Sequence, residues 1–188
     1  LFDDYHASRV LPGFAVDSKL QMLSTISEHA EIVIAVSSSD IERHKIRSDI
    51  GITYDEDVIR LINEFRKRDL YVGSVVLTKY TGERAADIFQ KRIEKMGIKV
   101  YHHYMIPGYP ANMDLIVSDE GYGKNDYIET SRSLVIVTAP GPGSGKMATC
   151  LSQLYHELKR GIRAGYAKYE TFPIWNLPLY HPVNLAYE

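Results

Sequence analysis

The chain has 188 residues, with 22 lysines and arginines against 24 aspartates and glutamates, for a formal net charge of -2. This length is enough for one domain with a hydrophobic core. A chain with this net charge does not offer the broad positive surface that binding to duplex nucleic acid requires. No apolar run approaches the roughly 20 residues that cross a bilayer. The single cysteine, Cys150, excludes an intrachain disulfide. We therefore predict a cytoplasmic protein with neither a membrane partner nor a nucleic-acid partner.

Strand-like and helix-like patterns alternate along the chain. The first and last aliphatic runs are nearly continuous, which is typical of strands that are covered on both faces. This alternation predicts an α/β fold with a doubly wound, mainly parallel sheet between two helical layers, Rossmann-like or P-loop-like. In chain order, the predicted elements are helix Ser18–Ala30, strand Ile32–Val36, a helix that follows the capping-box spacing Thr53/Glu56, strand Val72–Leu77, helix Glu83–Met96, strand Val100–Ile106, strand Leu134–Val137 and a helix from Gly145 with an apolar stripe.

Two stretches interrupt the alternation. Residues 107–130 are rich in turn-forming residues and contain one short aliphatic run, Leu115–Val117, for which a strand is predicted. Residues 166–188 contain three prolines and the only tryptophan, Trp175, without a regular period, which favours an ordered strap over a flexible linker. We therefore divide the chain into an α/β domain, residues 1–165, and a Pro/Tyr-rich strap that leads toward a further C-terminal region.

The strongest functional signal is the glycine-rich turn Pro140-Gly141-Pro142-Gly143-Ser144-Gly145-Lys146-Met147 between the last strand and the last helix. In such a turn successive main-chain N–H groups converge on an anion, and the helix dipole and a lysine add positive charge. Proline replaces the first glycine of the P-loop motif, and methionine replaces the hydroxyl residue that holds Mg²⁺. The candidate binding residues are Gly141, Gly143, Ser144, Gly145 and Lys146. We predict a degenerate P-loop-like turn that binds phosphate, ATP or another nucleotide, with Mg²⁺ as a candidate ion; another anionic ligand and a turn used only for packing are the alternatives.

Acidic residues follow the short aliphatic run. Asp119 and Glu120 are the candidate catalytic residues, because one would hold Mg²⁺ and the other would orient an attacking water in nucleotide hydrolysis. An acidic surface turn is the other interpretation, favoured by the neighbouring turn-forming residues. Lys124 would neutralise phosphate if its loop faces the ligand. The hydroxyls and carboxylate of Ser37–Asp40 follow the first strand, where they would line a site or cap a helical turn.

Four strings resemble a conserved bacterial family of unknown function: Leu1–Phe14, Val117–Thr130, Thr138–Cys150 and Phe172–Pro178. Members of that family are longer chains, some of them labelled ATP-dependent peptidases. The resemblance covers the whole chain and implies that a preceding strand and a C-terminal region lie outside residues 1–188. It implies no catalytic residues, and the sequence itself shows neither a zinc-binding histidine pair nor a serine-nucleophile motif.

Three functions follow as hypotheses. The first is a nucleotide- or phosphate-binding domain, with phosphoryl transfer or nucleotide hydrolysis as the first reaction class if it is an enzyme. The second is an enzyme that acts on a small anionic metabolite without a nucleotide, with the strap closing over it. The third is a structural or assembly domain in which the strap docks a neighbouring domain or a second subunit of a homo-oligomer.

Overall fold

The computed structural model of this chain describes residues 18–168 and Tyr180. In chain order its helices and strands are α1 (Ser18–Thr25), β1 (Ala30–Ser37), α2 (Ser38–Glu42), β2 (Ile46–Arg47), β3 (Ile52–Thr53), α3 (Tyr54–Arg66), β4 (Tyr71–Tyr80), α4 (Arg84–Lys95), β5 (Lys99–Tyr104), α5 (Met113–Ile116), the 3-10 helix Tyr122–Lys124, β6 (Leu134–Thr138) and α6 (Lys146–Lys159). Four strands form one parallel sheet in the order β5-β4-β1-β6, and β2 pairs with β3 in a separate antiparallel hairpin. The predicted α/β fold is confirmed.

The continuous aliphatic run of β1 reflects its place inside the sheet, where all eight of its residues are buried. Alternate side chains leave opposite faces of a strand, so Ile32, Ile34 and Val36 pack into one cluster with α3 and α4, whereas Val33 packs with Ile128 on the other face. The helical side chains that close the larger cluster include Val58, Leu61, Ile62, Phe65, Phe89 and Ile93.

Three local predictions differ from the structure. The strand predicted for Leu115–Val117 is wrong, because this run lies in and just after the short helix α5, whose first turn is capped by the Asn112 side chain accepting from the Leu115 N–H at 3.3 Å. Three apolar residues are too few to separate a strand from a helical turn. Helix α1 ends at Thr25, short of Ala30, and Thr53 precedes α3 without making a side-chain capping bond.

The apolar stripe of α6 is divided between the domain and its surface, because Leu151 and Tyr155 pack on the cluster of Ile106, Ile116 and Tyr122 while the ends of the stripe are exposed. Met147 is 51% exposed and Leu158 is 76% exposed, whereas Thr149, Ser152 and Glu157 are buried. The sequence pattern correctly predicts an amphipathic helix, but the residues of α6 that are fully buried in this domain are polar.

Hydrogen bonds attach this polar side of α6. Asn125 Nδ2 donates to Ser152 Oγ at 2.9 Å, and the Gln153 side chain bonds to both the N–H and the carbonyl of Ile128, at 3.1 and 3.0 Å. The segment that precedes β6 therefore lies between the sheet and α6. Among the described residues, no helix is both long and apolar enough to cross a membrane. The predicted strap falls outside the described residues, apart from residues 166–168 and Tyr180.

Candidate functional site

The order in which the chain adds strands to the sheet reverses between β1 and β6. From β1 the chain passes to β4 and then to β5, and it returns to the other side of β1 to form β6. In open parallel sheets, ligands bind beyond the carboxyl ends of the strands at such a reversal. Here that position lies between Ser37–Asp40, which follow β1, and residues 139–145, which follow β6 and which we call the glycine-rich loop.

Strand β4 holds the glycine-rich loop in place. Thr78 Oγ1 donates to the Ser144 carbonyl at 2.8 Å, and Lys79 Nζ donates to the Gly143 carbonyl at 3.0 Å. Gly145 has a φ of 87°, and a Cβ at this position would lie 2.9 Å from Thr78 Oγ1. Both the backbone conformation and the contact therefore require glycine.

The Ser144 and Lys146 side chains form hydrogen bonds with the main chain of the glycine-rich loop. Ser144 Oγ donates to the Gly141 carbonyl at 2.9 Å, and Lys146 Nζ donates to the same oxygen at 3.4 Å. Tyr54, at the start of α3, packs against the loop so closely that a Cβ on Gly141 would lie 2.3 Å from the phenol oxygen. The Ser144 hydroxyl is thus used within the loop, and what this residue offers a ligand is its main-chain N–H.

The main-chain N–H groups around the start of α6 are not used by the described part of the protein. Between residues 18 and 168, the N–H groups of residues 143–148 donate to no protein acceptor, and the first bond of the helix runs from the Thr149 N–H to the Gly145 carbonyl at 2.9 Å. Helix α6 has 14 residues, so the positive end of its dipole adds to these donors.

Lys146 is a partly buried cation beside these donors. Burial lowers the pKa of its ammonium group, and the positive charge of Lys168 lowers that pKa further. Its hydrogen bond within the described residues is to the neutral Gly141 carbonyl. Two buried hydroxyl groups, Ser38 Oγ at the start of α2 and Thr149 Oγ1 in the first turn of α6, have no partner among the described residues. The region is therefore rich in hydrogen-bond donors, and its buried carboxylate, Asp40, is paired with Arg43 and Lys45.

Asp119 does not join the glycine-rich loop. Its carboxylate accepts hydrogen bonds from Lys159 Nζ and, at 2.7 Å, from the Tyr155 hydroxyl, and these two contacts lower its pKa. Lys159 is at the opposite end of α6 from Lys146, which corresponds to about 20 Å along the helix axis. The structure thus separates this candidate acid from the candidate phosphate-binding turn.

Glu120 and Lys124 pair with each other. Their side chains are 2.6 Å apart and both are well exposed, and none of the bonds made by the described residues joins either one to the glycine-rich loop. This geometry favours the interpretation of residues 118–123 as an acidic surface turn. Within residues 18–168, no group of three or more histidine, cysteine, aspartate and glutamate side chains is placed to hold a metal ion.

The whole chain, residues 1–188, matches the family described as Domain of unknown function DUF1846, N-terminal. The chain belongs to this family. It is 63% identical over 189 residues to a UPF0371 protein of Corynebacterium diphtheriae, 60% identical to one of Streptococcus sanguinis and 58% identical to one of Streptococcus pneumoniae. Each match covers all of this chain but only 38% of the relative. The resemblance to a bacterial family of longer chains is thereby confirmed.

The sequence analysis did not identify three residues that position the glycine-rich loop of this DUF1846 domain: Tyr54, Thr78 and Lys79. The available signal was the position of Thr78 and Lys79 just after the aliphatic run of a central strand, where ligand-facing residues occur in parallel sheets. Lys79 also has a φ of 54°, a conformation that few non-glycine residues adopt and that is found at functional sites.

An open depression of about 610 Å³ lies around the amino end of β5, at the opposite edge of the parallel sheet from the glycine-rich loop. Among its charged lining residues, Lys99 contacts Glu129, the Arg160 guanidinium stacks 3.5 Å from the Tyr127 ring, and Glu94 accepts a hydrogen bond from the Gln90 side chain. Each of these charged groups therefore already has a contact within the domain.

Proposed function

We propose that the glycine-rich loop and the first turn of α6 bind a phosphate group of a small anionic ligand, with nucleotides as the first class to test. The observation that carries this proposal is the row of unpaired N–H groups on residues 143–148 beside the partly buried ammonium group of Lys146. Main-chain N–H groups at a helix start and a lysine ammonium are the donors that phosphate oxygens accept from.

The proposal concerns binding and not hydrolysis. Hydrolysis at a P-loop needs a hydroxyl that holds Mg²⁺ and a group that orients water. Met147 occupies the position of that hydroxyl and is half exposed, and Asp119 is bonded at the far end of α6. We therefore expect binding that does not depend on Mg²⁺.

Calorimetric titration of the full-length protein with ATP, ADP and inorganic phosphate, each with and without Mg²⁺, tests the proposal. We expect saturable binding that Lys146→Ala weakens roughly tenfold to a hundredfold, because a hydrogen bond to a charged group contributes about 1.5–3 kcal/mol. A small anionic metabolite without a nucleotide is the competing ligand class. It would be favoured if inorganic phosphate binds as tightly as ATP and ADP do.

Lys159→Ala is the matched control, because it removes the same charge from the same helix about 20 Å away. This variant should bind the ligand as the wild-type protein does. The proposal fails if none of the three ligands binds the folded protein, or if both variants lose affinity equally, since the effect would then come from net charge.

A further inference from the structure

The outward side of α6 carries a regular row of large apolar residues. Met147, Leu151, Leu154 and Leu158 follow one another at intervals of four, three and four positions, the spacing of residues that share one face of a helix. Leu151 is partly covered by the small cluster around Ile116 and Tyr122. We call Met147, Leu154 and Leu158 the outer stripe of α6.

The outer stripe has no role in the core of this domain. None of its three residues belongs to the hydrophobic clusters that the described residues form, and Met147 and Leu158 are 51% and 76% exposed. The attachment of α6 to the domain is made on its other side, by bonds such as that between Asn125 and Ser152. Covering the stripe would therefore remove apolar surface from water without disturbing any contact within the domain.

We propose that a segment of the same polypeptide from outside residues 1–188 packs on the outer stripe of α6. The curated relatives supply the length, because this chain spans only 38% of each of them. The inference is independent of ligand binding at the glycine-rich loop.

Thiol labelling of the full-length protein tests whether the stripe is covered. Leu158→Cys is compared with Ile88→Cys, because Ile88 is an aliphatic residue that is 60% exposed on α4 and lies outside the stripe. The modification rate at each engineered position is followed by peptide mass spectrometry. We expect labelling at position 158 to be at least about tenfold slower than at position 88, as for a site that must open before it reacts.

The occupant is identified by a photo-crosslinking residue placed at position 158 of the full-length protein. Crosslinks within one polypeptide to a segment outside residues 1–188 support the proposal. Crosslinks to residues 169–188, or crosslinks between two copies together with protection that is lost on dilution, overturn it. Equal labelling rates at positions 158 and 88 also overturn it, because the stripe would then face water in the whole protein.

Discussion

Lys79 and Lys146 both direct their ammonium groups to main-chain oxygens of the glycine-rich loop. A neutral carbonyl is a weaker partner for a cation than a phosphate oxygen is. If the proposed phosphate ligand binds, we expect each lysine to exchange its carbonyl partner for that ligand by rotating its own side chain, while Thr78 keeps the loop backbone in place.

Two glycines of this loop differ in a way that separates backbone strain from steric contact. Both have positive φ, 75° at Gly143 and 87° at Gly145, but a Cβ at Gly143 would meet nothing within 4 Å, whereas one at Gly145 would lie 2.9 Å from Thr78 Oγ1. We expect Gly143→Ala to cost about 1 kcal/mol of unfolding free energy, and Gly145→Ala to cost about 1–3 kcal/mol more. Urea denaturation of the two variants measures the difference. Equal costs would show that Thr78 does not confine the loop.

The attachment of helix α6 depends on a few buried polar groups, of which Asn125 is central. Its Oδ1 accepts from the Tyr104 N–H at the end of β5 at 2.8 Å, and its Nδ2 donates to Ser152 Oγ at 2.9 Å. Asn125→Ala leaves both of these groups without a partner, so we expect a loss of about 1–3 kcal/mol in unfolding free energy and faster hydrogen exchange in α6. Asn63→Ala, an exposed substitution on α3, should change stability by less than about 0.5 kcal/mol. Similar effects from the two substitutions would contradict this role of Asn125.

The sequence predicts helices and strands well from long runs of apolar residues and poorly from short ones. The run Ile32–Val36 predicts β1 because both of its faces are buried, whereas Leu115–Val117 is too short to distinguish a strand from the helical turn that Asn112 caps. For α6 the pattern identifies an apolar side but not its partner. Met147 and Leu158 on that side lie outside the hydrophobic clusters of this domain, whereas the polar side forms hydrogen bonds within it.

The candidate site could likewise be predicted only in part from the sequence. Local sequence predicts the turn, since glycines between a strand and a helix are recognisable in one short string. The residues that shape the turn come from elsewhere in the chain: Thr78 reaches Ser144 across 66 positions, and Lys79 reaches Gly143 across 64. The acidic residues Asp119 and Glu120 were assigned to the site by residue type, and their observed partners Lys159 and Lys124 lie on the surface. Such pairings follow from the tertiary fold and not from spacing along the chain.

The stability of the whole domain should depend on pH through His103. This residue is 4% exposed, and its Nε2–H donates to the Asp126 carbonyl at 3.2 Å. Burial lowers the pKa of His103 from 6.5 to about 4, and the charges of His156 and His102 act in the same direction. The unfolded chain therefore takes up a proton between pH 6.5 and 4 that the folded domain does not accept. Unfolding free energy should consequently fall by about 2–3 kcal/mol as the pH is lowered through this range.

Urea denaturation between pH 7 and pH 4.5 measures this loss, and His103→Gln provides the control because glutamine does not titrate. The variant should show a flatter dependence of unfolding free energy on pH than the wild-type protein does. Carboxylates whose pKa is lowered, such as Glu64 with a pKa of about 2, titrate in both proteins and cancel in the comparison. Parallel profiles for the two proteins would exclude His103 as the source.

The contacts that Thr78, Lys79 and Tyr54 make with the glycine-rich loop have a consequence for the motif itself. Cut out as a synthetic peptide, residues 134–159 would still carry every glycine and the lysine. Such a peptide would lack the strand that bonds to Ser144 and Gly143 and the phenol ring that packs on Gly141. Its amide groups would have no fixed direction, so the fragment would keep the residues of the glycine-rich loop but not its geometry.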